Sequence, residues 1–233
     1  MKKLLSLLTA CALCTCVFAA CGDKDKDDDA KDTKSSSAKS EKKDKNSIIG
    51  TWTLDEESIN VLMDGGLDDI EEQGMKLTDA SMEFKDDETA KMHVSLDCSE
   101  IMCLTDDGFK ISGMDIEVID FDGTNLAVGM DGQTIMTFER TEKSDDKYGE
   151  YKIPADMGMP EDYNAKFIFE KSGVSYMDMN VGGTYTYDKE SGELKLKSDD
   201  EDDFGDPSTV KIDGDKMEIT SSEGKTATLT RKK

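Results

Sequence analysis

Apolar residues alternate with polar ones along most of the chain after residue 48, and this period of two limits its fold more than any other feature. Successive side chains of a strand point to opposite faces, so the alternation predicts antiparallel strands with one buried face. The alternating segments include Ala90/Met92/Val94/Leu96, Phe109/Ile111, Leu126/Val128, Met136/Phe138, Tyr185/Tyr187, Leu194/Leu196, Val210/Ile212 and Met217/Ile219. Pairs such as Asp131-Gly132 separate these segments and suit tight hairpin turns. The chain is therefore predicted to be mainly β, with one short helix within residues 56–74.

Four short segments of the chain recur in the same order, which indicates an internal repeat. The matched segments are 50–54 with 149–153, 82–85 with 167–170, 121–128 with 212–219, and 136–140 with 227–231. The members of each pair lie between 85 and 99 residues apart. We therefore expect two repeats, residues 48–143 and 144–233, with the polar segment 141–147 at the joint.

The only two arginines of the chain, Arg140 and Arg231, occupy the matching last-strand position of the two repeats. A flat guanidinium lies on an aromatic ring better than a lysine ammonium does. Each repeat also opens with glycine, any residue and an aromatic residue, which is Trp52 in the first repeat and Tyr151 in the second. We therefore predict that Arg140 lies near Trp52 and Arg231 near Tyr151, so that each pair closes its own repeat.

A Gly-x-Trp opening, many hairpins and a closing Phe-x-Arg resemble the lipocalin-like β-barrel domains of small bacterial lipoproteins. In that family the tryptophan packs at the closed end of the barrel and a late arginine covers it. The positions that carry the resemblance are Gly50, Trp52 and Arg140, and in the second repeat Gly149, Tyr151 and Arg231. The resemblance implies two small antiparallel barrels in tandem, at residues 48–143 and 144–233. Barrels of about 90 residues are expected to be filled by their own side chains.

The N-terminus is typical of a secretory signal, because Lys2 and Lys3 precede an apolar stretch that ends at Ala20. Residues 18–21, Phe-Ala-Ala-Cys, resemble a bacterial lipobox. The resemblance implies removal of residues 1–20 and lipid modification of Cys21. Cys11 in Leu-Thr-Ala-Cys is an alternative, although it would leave an apolar region of only about seven residues. Plain secretion without a lipid is another.

Residues 21–47 form a polar segment that is predicted to be a disordered linker. From residue 22 to residue 47 it has eight acidic residues, eight lysines and no apolar side chain larger than alanine. Such a segment cannot bury enough surface to offset the entropy of ordering. We expect it to act as a spacer from the membrane, since binding to anionic lipid would favour an excess of lysine. This places the protein at the cell membrane, lipid-anchored on the extracytoplasmic face.

Residues 48–233 are strongly acidic, with 45 Asp and Glu against 19 Lys and Arg and a net charge of −26. This charge argues against nucleic acid and against direct binding to anionic membrane. Cationic partners and divalent ions remain open.

Cys98 and Cys103 flank four residues. If those four residues form a turn, the cysteines face one another across a hairpin, with Cα atoms about 4.5–5.5 Å apart. That separation and an extracytoplasmic location permit a disulfide. Free thiols are the first alternative. A metal site with His93 is the second, and it lacks a fourth ligand.

No motif for catalysis or for a cofactor is present. The single histidine, His93, lies on the polar side of its predicted strand. The acidic segment 198–206 does not fit the EF-hand pattern, so no metal is expected. We therefore expect a non-enzymatic binding or interaction protein whose partner is undetermined. The alternative is a carrier of a small apolar ligand within the first barrel; an enzyme with paired carboxylates ranks third.

Overall fold

The structure of the chain, a computed structural model, describes residues 46–62, 70–154, 157, 164–198 and 205–233. The predicted signal peptide, Cys21 and nearly all of the predicted linker lie outside the described residues. The strands are β1 (Gly50–Leu54), β2 (Lys76–Phe84), β3 (Thr89–Asp97), β4 (Met102–Thr105), β5 (Gly108–Ile111), β6 (Met114–Phe121), β7 (Asn125–Met130), β8 (Gln133–Glu139), β9 (Gly149–Lys152), β10 (Lys166–Phe169), β11 (Ser175–Asp188), β12 (Glu193–Ser198), β13 (Ser208–Asp213), β14 (Lys216–Thr220) and β15 (Thr226–Arg231). Helix α1 (Glu56–Leu62) follows β1. The prediction of a mainly β chain is confirmed.

Eight antiparallel strands close into a barrel in the order β1, β2, β3, β11, β12, β13, β14 and β15, and β15 pairs again with β1. The closing pairs run from Trp52↔Arg231 to Leu54↔Leu229. We call this unit the barrel. Its apolar residues point inward at every second position, as along β3, where Met92, Val94 and Leu96 are buried.

A second sheet contains β4 to β8 in sequence order, each strand antiparallel to the next. Strands β9 and β10 extend the sheet of the barrel beyond β11, because β10 pairs with the first residues of β11. An isolated bridge between Arg140 and Tyr151 links the end of β8 to β9. Five aromatic residues pack between the second sheet and β9–β10, with ring centroids 5.4–6.3 Å apart: Phe109, Phe138, Tyr151, Phe167 and Phe169.

The barrel takes its strands from both repeats, with β1–β3 from the first and β11–β15 from the second. The prediction that residues 48–143 and 144–233 each close a separate barrel is therefore wrong. The physical reason is the length of β11, whose 14 residues span about 46 Å. Its first residues pair with β10 and its last with β12, so β11 carries the end of the second repeat away from β9 and β10 and into the barrel.

Strands β3 and β11 pair antiparallel over nine residues, from Thr89↔Thr184 to Asp97↔Tyr176. Val94 pairs with Met179 within this run. The two residues are 85 residues apart, as are the matched positions Met82 and Phe167 of the two repeats. Equivalent positions of the two repeats thus meet at the Val94–Met179 pair. The β3–β11 ladder is therefore symmetric about that pair, and the two repeats exchange their first three strands across it.

This exchange predicts that neither repeat folds by itself. In a separately expressed fragment 46–143, Trp52 would lack β15, so its fluorescence should be that of a solvent-exposed tryptophan. Addition of fragment 144–233, which has no tryptophan, should shift the emission to shorter wavelength as β15 covers Trp52. A monomeric fragment 46–143 that unfolds cooperatively and already shields Trp52 would contradict the exchange.

Candidate functional site

The ring of Trp52 lies under the guanidinium of Arg231, whose central carbon is 4.0 Å from the ring centroid. Trp52 is fully buried, and its Nε1 donates a hydrogen bond to the carbonyl of Ile48 at 2.7 Å. Nη1 of Arg231 donates to the carbonyl of Ile49 at 2.8 Å, and Nη2 donates to that of Ser47 at 2.7 Å. We call this arrangement the barrel clasp; it ties the start of the first strand to the end of the last.

Arg140 and Tyr151 form a second clasp with the same pattern. The guanidinium carbon of Arg140 is 5.2 Å from the ring centroid of Tyr151, and the hydroxyl of Tyr151 donates to the carbonyl of Lys147. Nη1 of Arg140 donates to the carbonyls of Tyr148 and Asp146 at 2.8 and 2.6 Å. The acceptor carbonyls lie three, four and five residues before the aromatic residue in both clasps. Burial raises the pKa of Tyr151, and Arg140 opposes part of that rise.

A glycine two residues before each aromatic ring makes room for the arginine. Gly50 and Gly149 have φ angles of 132° and 137°, a region that other residues adopt at a cost. A Cβ atom at Gly50 would lie 2.9 Å from Nη1 of Arg231, and one at Gly149 would lie 2.5 Å from Nη2 of Arg140. The close approach of the arginine thus explains why a glycine stands two residues before the aromatic residue in each clasp.

The predicted partners of the two arginines are wrong, because each arginine lies on the aromatic ring of the other repeat. Arg231 of the second repeat covers Trp52 of the first, and Arg140 of the first repeat covers Tyr151 of the second. The exchange of strands through β3 and β11 causes this crossing. Arginine on an aromatic face was predicted from the residue types, whereas the choice of ring depends on which strands close together.

Among the described residues, the side chains that point into the barrel are closely packed. Trp52, Leu229 and Met217 are fully buried there. A cavity of about 20 Å³ lies beside β3, β11 and β12, which is room for about one water molecule. Its apolar lining includes Met82, Met92, Val181 and Leu196.

The two cysteines are free thiols, so the predicted disulfide is not formed. Its premise was a hairpin in which β3 and β4 pair, but β4 pairs with β5. The backbone N–H of Cys98 instead donates to the carbonyl of Ser175 at 2.9 Å, and the chain turns from the barrel into the second sheet. Burial raises the pKa of Cys98 to about 12, with a smaller contribution from Asp97, which keeps this thiol protonated at neutral pH.

His93 lies on the outer face of β3 and is partly exposed. Its Nδ1 is 3.6 Å from Asp79 and its Nε2 is 3.8 Å from Asp178. The two carboxylates approach opposite sides of the ring, an arrangement that suits ion pairs rather than a shared metal. In the part of the chain that the structure describes, no group of three or more His, Cys, Asp or Glu side chains is placed to hold a metal ion.

Ser58 is a structural residue that the sequence analysis did not identify. Its hydroxyl donates to the carbonyl of Thr228 at 2.8 Å and accepts from the N–H of Thr228 at 3.0 Å. Asp55 orients the start of α1 by accepting from the N–H of Ser58 at 2.9 Å, and this bonding lowers the pKa of Asp55. The Asp-x-x-Ser spacing is a helix-start signal, although it does not reveal the contact with β15.

No protein-family model matches the chain, and no curated protein or solved structure is significantly similar to it. None of the helical segments within the described residues has the length and apolar character needed to cross a membrane.

The clasps generate a prediction for a double-mutant cycle. Trp52→Leu combined with Arg231→Met should show a coupling of about 1 kcal/mol in the free energy of unfolding, because the partly exposed guanidinium lies on a fully buried ring. Trp52→Leu combined with Arg140→Met should show none. Urea unfolding followed by circular dichroism measures both. A coupling with Arg140 in place of Arg231 would contradict the exchanged clasps.

Proposed function

We propose that the chain is a lipid-anchored extracytoplasmic protein that binds other molecules through its outer surface and has no catalytic activity. The observation that carries this proposal is the packing of the described barrel residues, where the cavity beside β3, β11 and β12 has a volume of about 20 Å³. A cavity of that size holds about one water molecule, which favours recognition at the outer face.

The chemistry of that outer face favours a cationic protein partner. Residues 48–233 have a net charge of −26, so nucleic acid and anionic lipid are repelled. The anchor in this proposal is a lipid on Cys21, which attaches the protein to the membrane. The linker of 26 residues between Cys21 and Ile48, as a flexible coil, has an end-to-end distance of about 30 Å, which would place the acidic face away from the lipid headgroups.

The proposal includes a lipocalin-like organisation with exchanged repeats. In this interpretation the second sheet, together with β9, β10 and the start of β11, is a second barrel with an incomplete seam. The support is the second clasp, whose arginine, aromatic ring and acceptor carbonyls follow the same spacing as those of the barrel clasp.

A carrier of a small apolar ligand is the alternative, and the cavity does not favour it. In that cavity, a ligand larger than a water molecule would have to displace lining side chains such as Met82 or Met92. Native mass spectrometry of the protein from its own membranes tests this point. We expect the mass of the lipidated polypeptide alone. A stoichiometric small molecule that stays bound would overturn the surface-binding proposal in favour of the carrier.

The anchor has a test of its own. Cys21→Ser should abolish lipid attachment and remove the protein from the washed membrane fraction, since no other segment supplies an anchor in this proposal. Cys11→Ser is the matched control, and it should leave both unchanged. Mass spectrometry of the N-terminal peptide and fractionation measure the outcome. Loss of the lipid in the Cys11 variant, but not in the Cys21 variant, would contradict Cys21 as the site.

A further inference from the structure

The outer edge of β15, the last strand of the barrel, is covered from Arg231 back to Thr228. Strand β1 pairs with β15 from Arg231 to Leu229, and at the next residue, Thr228, the hydroxyl of Ser58 binds both the backbone N–H and the carbonyl. Helix α1 thus continues the cover at the point where β1 ends.

Within the part of the chain that the structure describes, the outer edge of β8, the equivalent strand of the first repeat, is open before its last residues. Arg140 bridges to Tyr151, and the N–H of Thr141 donates to the carbonyl of Glu150 at 3.1 Å. Among the described residues, the backbone of Gln133–Glu139 hydrogen-bonds to no strand or helix other than β7. Thr137 lies 91 residues before Thr228, as Arg140 lies 91 before Arg231, and no described side chain binds its backbone as Ser58 binds that of Thr228.

Two apolar side chains beside the β7–β8 turn are exposed, which the fold itself does not require. Ile135 is 53% exposed and Met130 is 48% exposed. The equivalent positions on the covered edge, 91 residues later, are Thr226 and Ser221. A register shift opposite Val128 makes a bulge at Ile135, and bulges re-aim side chains in this way.

The surroundings of this edge are acidic and only partly balanced by lysine, since Asp115 lies 3.6 Å from Lys110 and Glu139 lies 2.6 Å from Lys152. Residues 111–139 contain six Asp and Glu and no lysine or arginine, whereas the equivalent residues 202–230 contain three lysines. Exposed edges are commonly blocked by lysine or proline, and β8 has neither. A second copy of the chain would bring two acidic faces together, so the charge favours a basic occupant.

We propose that the outer edge of β8, residues Gln133–Glu139, is a strand-addition site for an extended, basic and apolar segment of a partner protein. The partner's backbone pairs with the open edge, its apolar side chains contact Ile135 and Met130, and its cations are attracted by the net acidic charge around the edge. This inference rests on the proposed surface-binding function and specifies where binding takes place.

Hydrogen exchange of the full chain, purified in detergent, tests the site with a synthetic seven-residue peptide of alternating lysine and valine. At a peptide concentration ten times its Kd, exchange of the amides in 133–139 should slow about tenfold, with little change elsewhere. The same peptide methylated on every backbone nitrogen keeps the charge but cannot pair as a strand, and it should give no protection. Equal protection by both peptides, or protection spread over other acidic segments, would overturn strand addition.

The two repeats provide matched variants for the same measurement. Met130→Ser with Ile135→Thr installs the residues of the covered edge and should weaken peptide binding with unchanged stability. Ser221→Met with Thr226→Ile places the apolar pair on the covered edge and should create no second protected segment. A second segment protected at β15 would show that apolar side chains suffice without an open edge. Protection of β8 that grows with protein concentration alone would identify a second copy as the occupant. Protection at β15, or protection of β8 that depends on protein concentration, would overturn the strand-addition proposal. Neither of these two results tests whether a small molecule occupies the barrel.

Discussion

The pairing of β3 with β11 is the interaction on which the rest of the structure depends. Nine residue pairs join the two repeats along their longest strands, and equivalent residues meet at Val94 and Met179. Because each strand is paired on both of its edges, it cannot bend back toward its own repeat without breaking a ladder. The closing strands of each repeat therefore emerge beside the opening strands of the other. Both clasps, and the crossing of their arginines, follow from this one pairing.

The clasps show how a small set of residues can join strands that are distant in sequence. Trp52 and Arg231 are 179 residues apart, whereas Arg140 and Tyr151 are only 11 apart. Closing the first pair demands that nearly the whole chain be ordered; the second can form locally. The barrel clasp combines a cation–π contact with hydrogen bonds to two carbonyls, and each of these is worth about 1 kcal/mol when buried. Tryptophan, which binds a cation best, lies at the seam that costs more entropy to close.

The sequence predicted the strands, the repeat and the chemistry of the clasps, because alternation and residue type act locally. It did not predict whether the strands of each repeat close with one another or with those of the other repeat. An internal repeat in a sequence is equally consistent with tandem units and with exchanged units. One local signal was informative: the alternation of Tyr185 and Tyr187 extends back through Met179 to Ser175, a run too long for one small barrel. The disulfide failed for a similar reason, since the spacing of Cys98 and Cys103 does not distinguish a hairpin from a turn between two sheets.

The two repeats differ most at positions outside the clasps. The positions that build the clasps keep their glycine, aromatic and arginine residues in both copies, since each is in contact with the others. The segment after the first strand does not: it holds Asp55 and Ser58 in one copy and begins with Pro154 in the other. Proline cannot supply the side-chain acceptor with which Asp55 caps α1. An uncovered strand edge is normally prone to aggregation, yet Ile135 and Met130 are exposed beside β8, where the surrounding charge is net acidic. Apolar residues at an open edge are a liability unless something binds there, whereas a net acidic surface repels further copies of the same chain. Together, the two features favour binding of a basic strand over binding of a second copy of this chain.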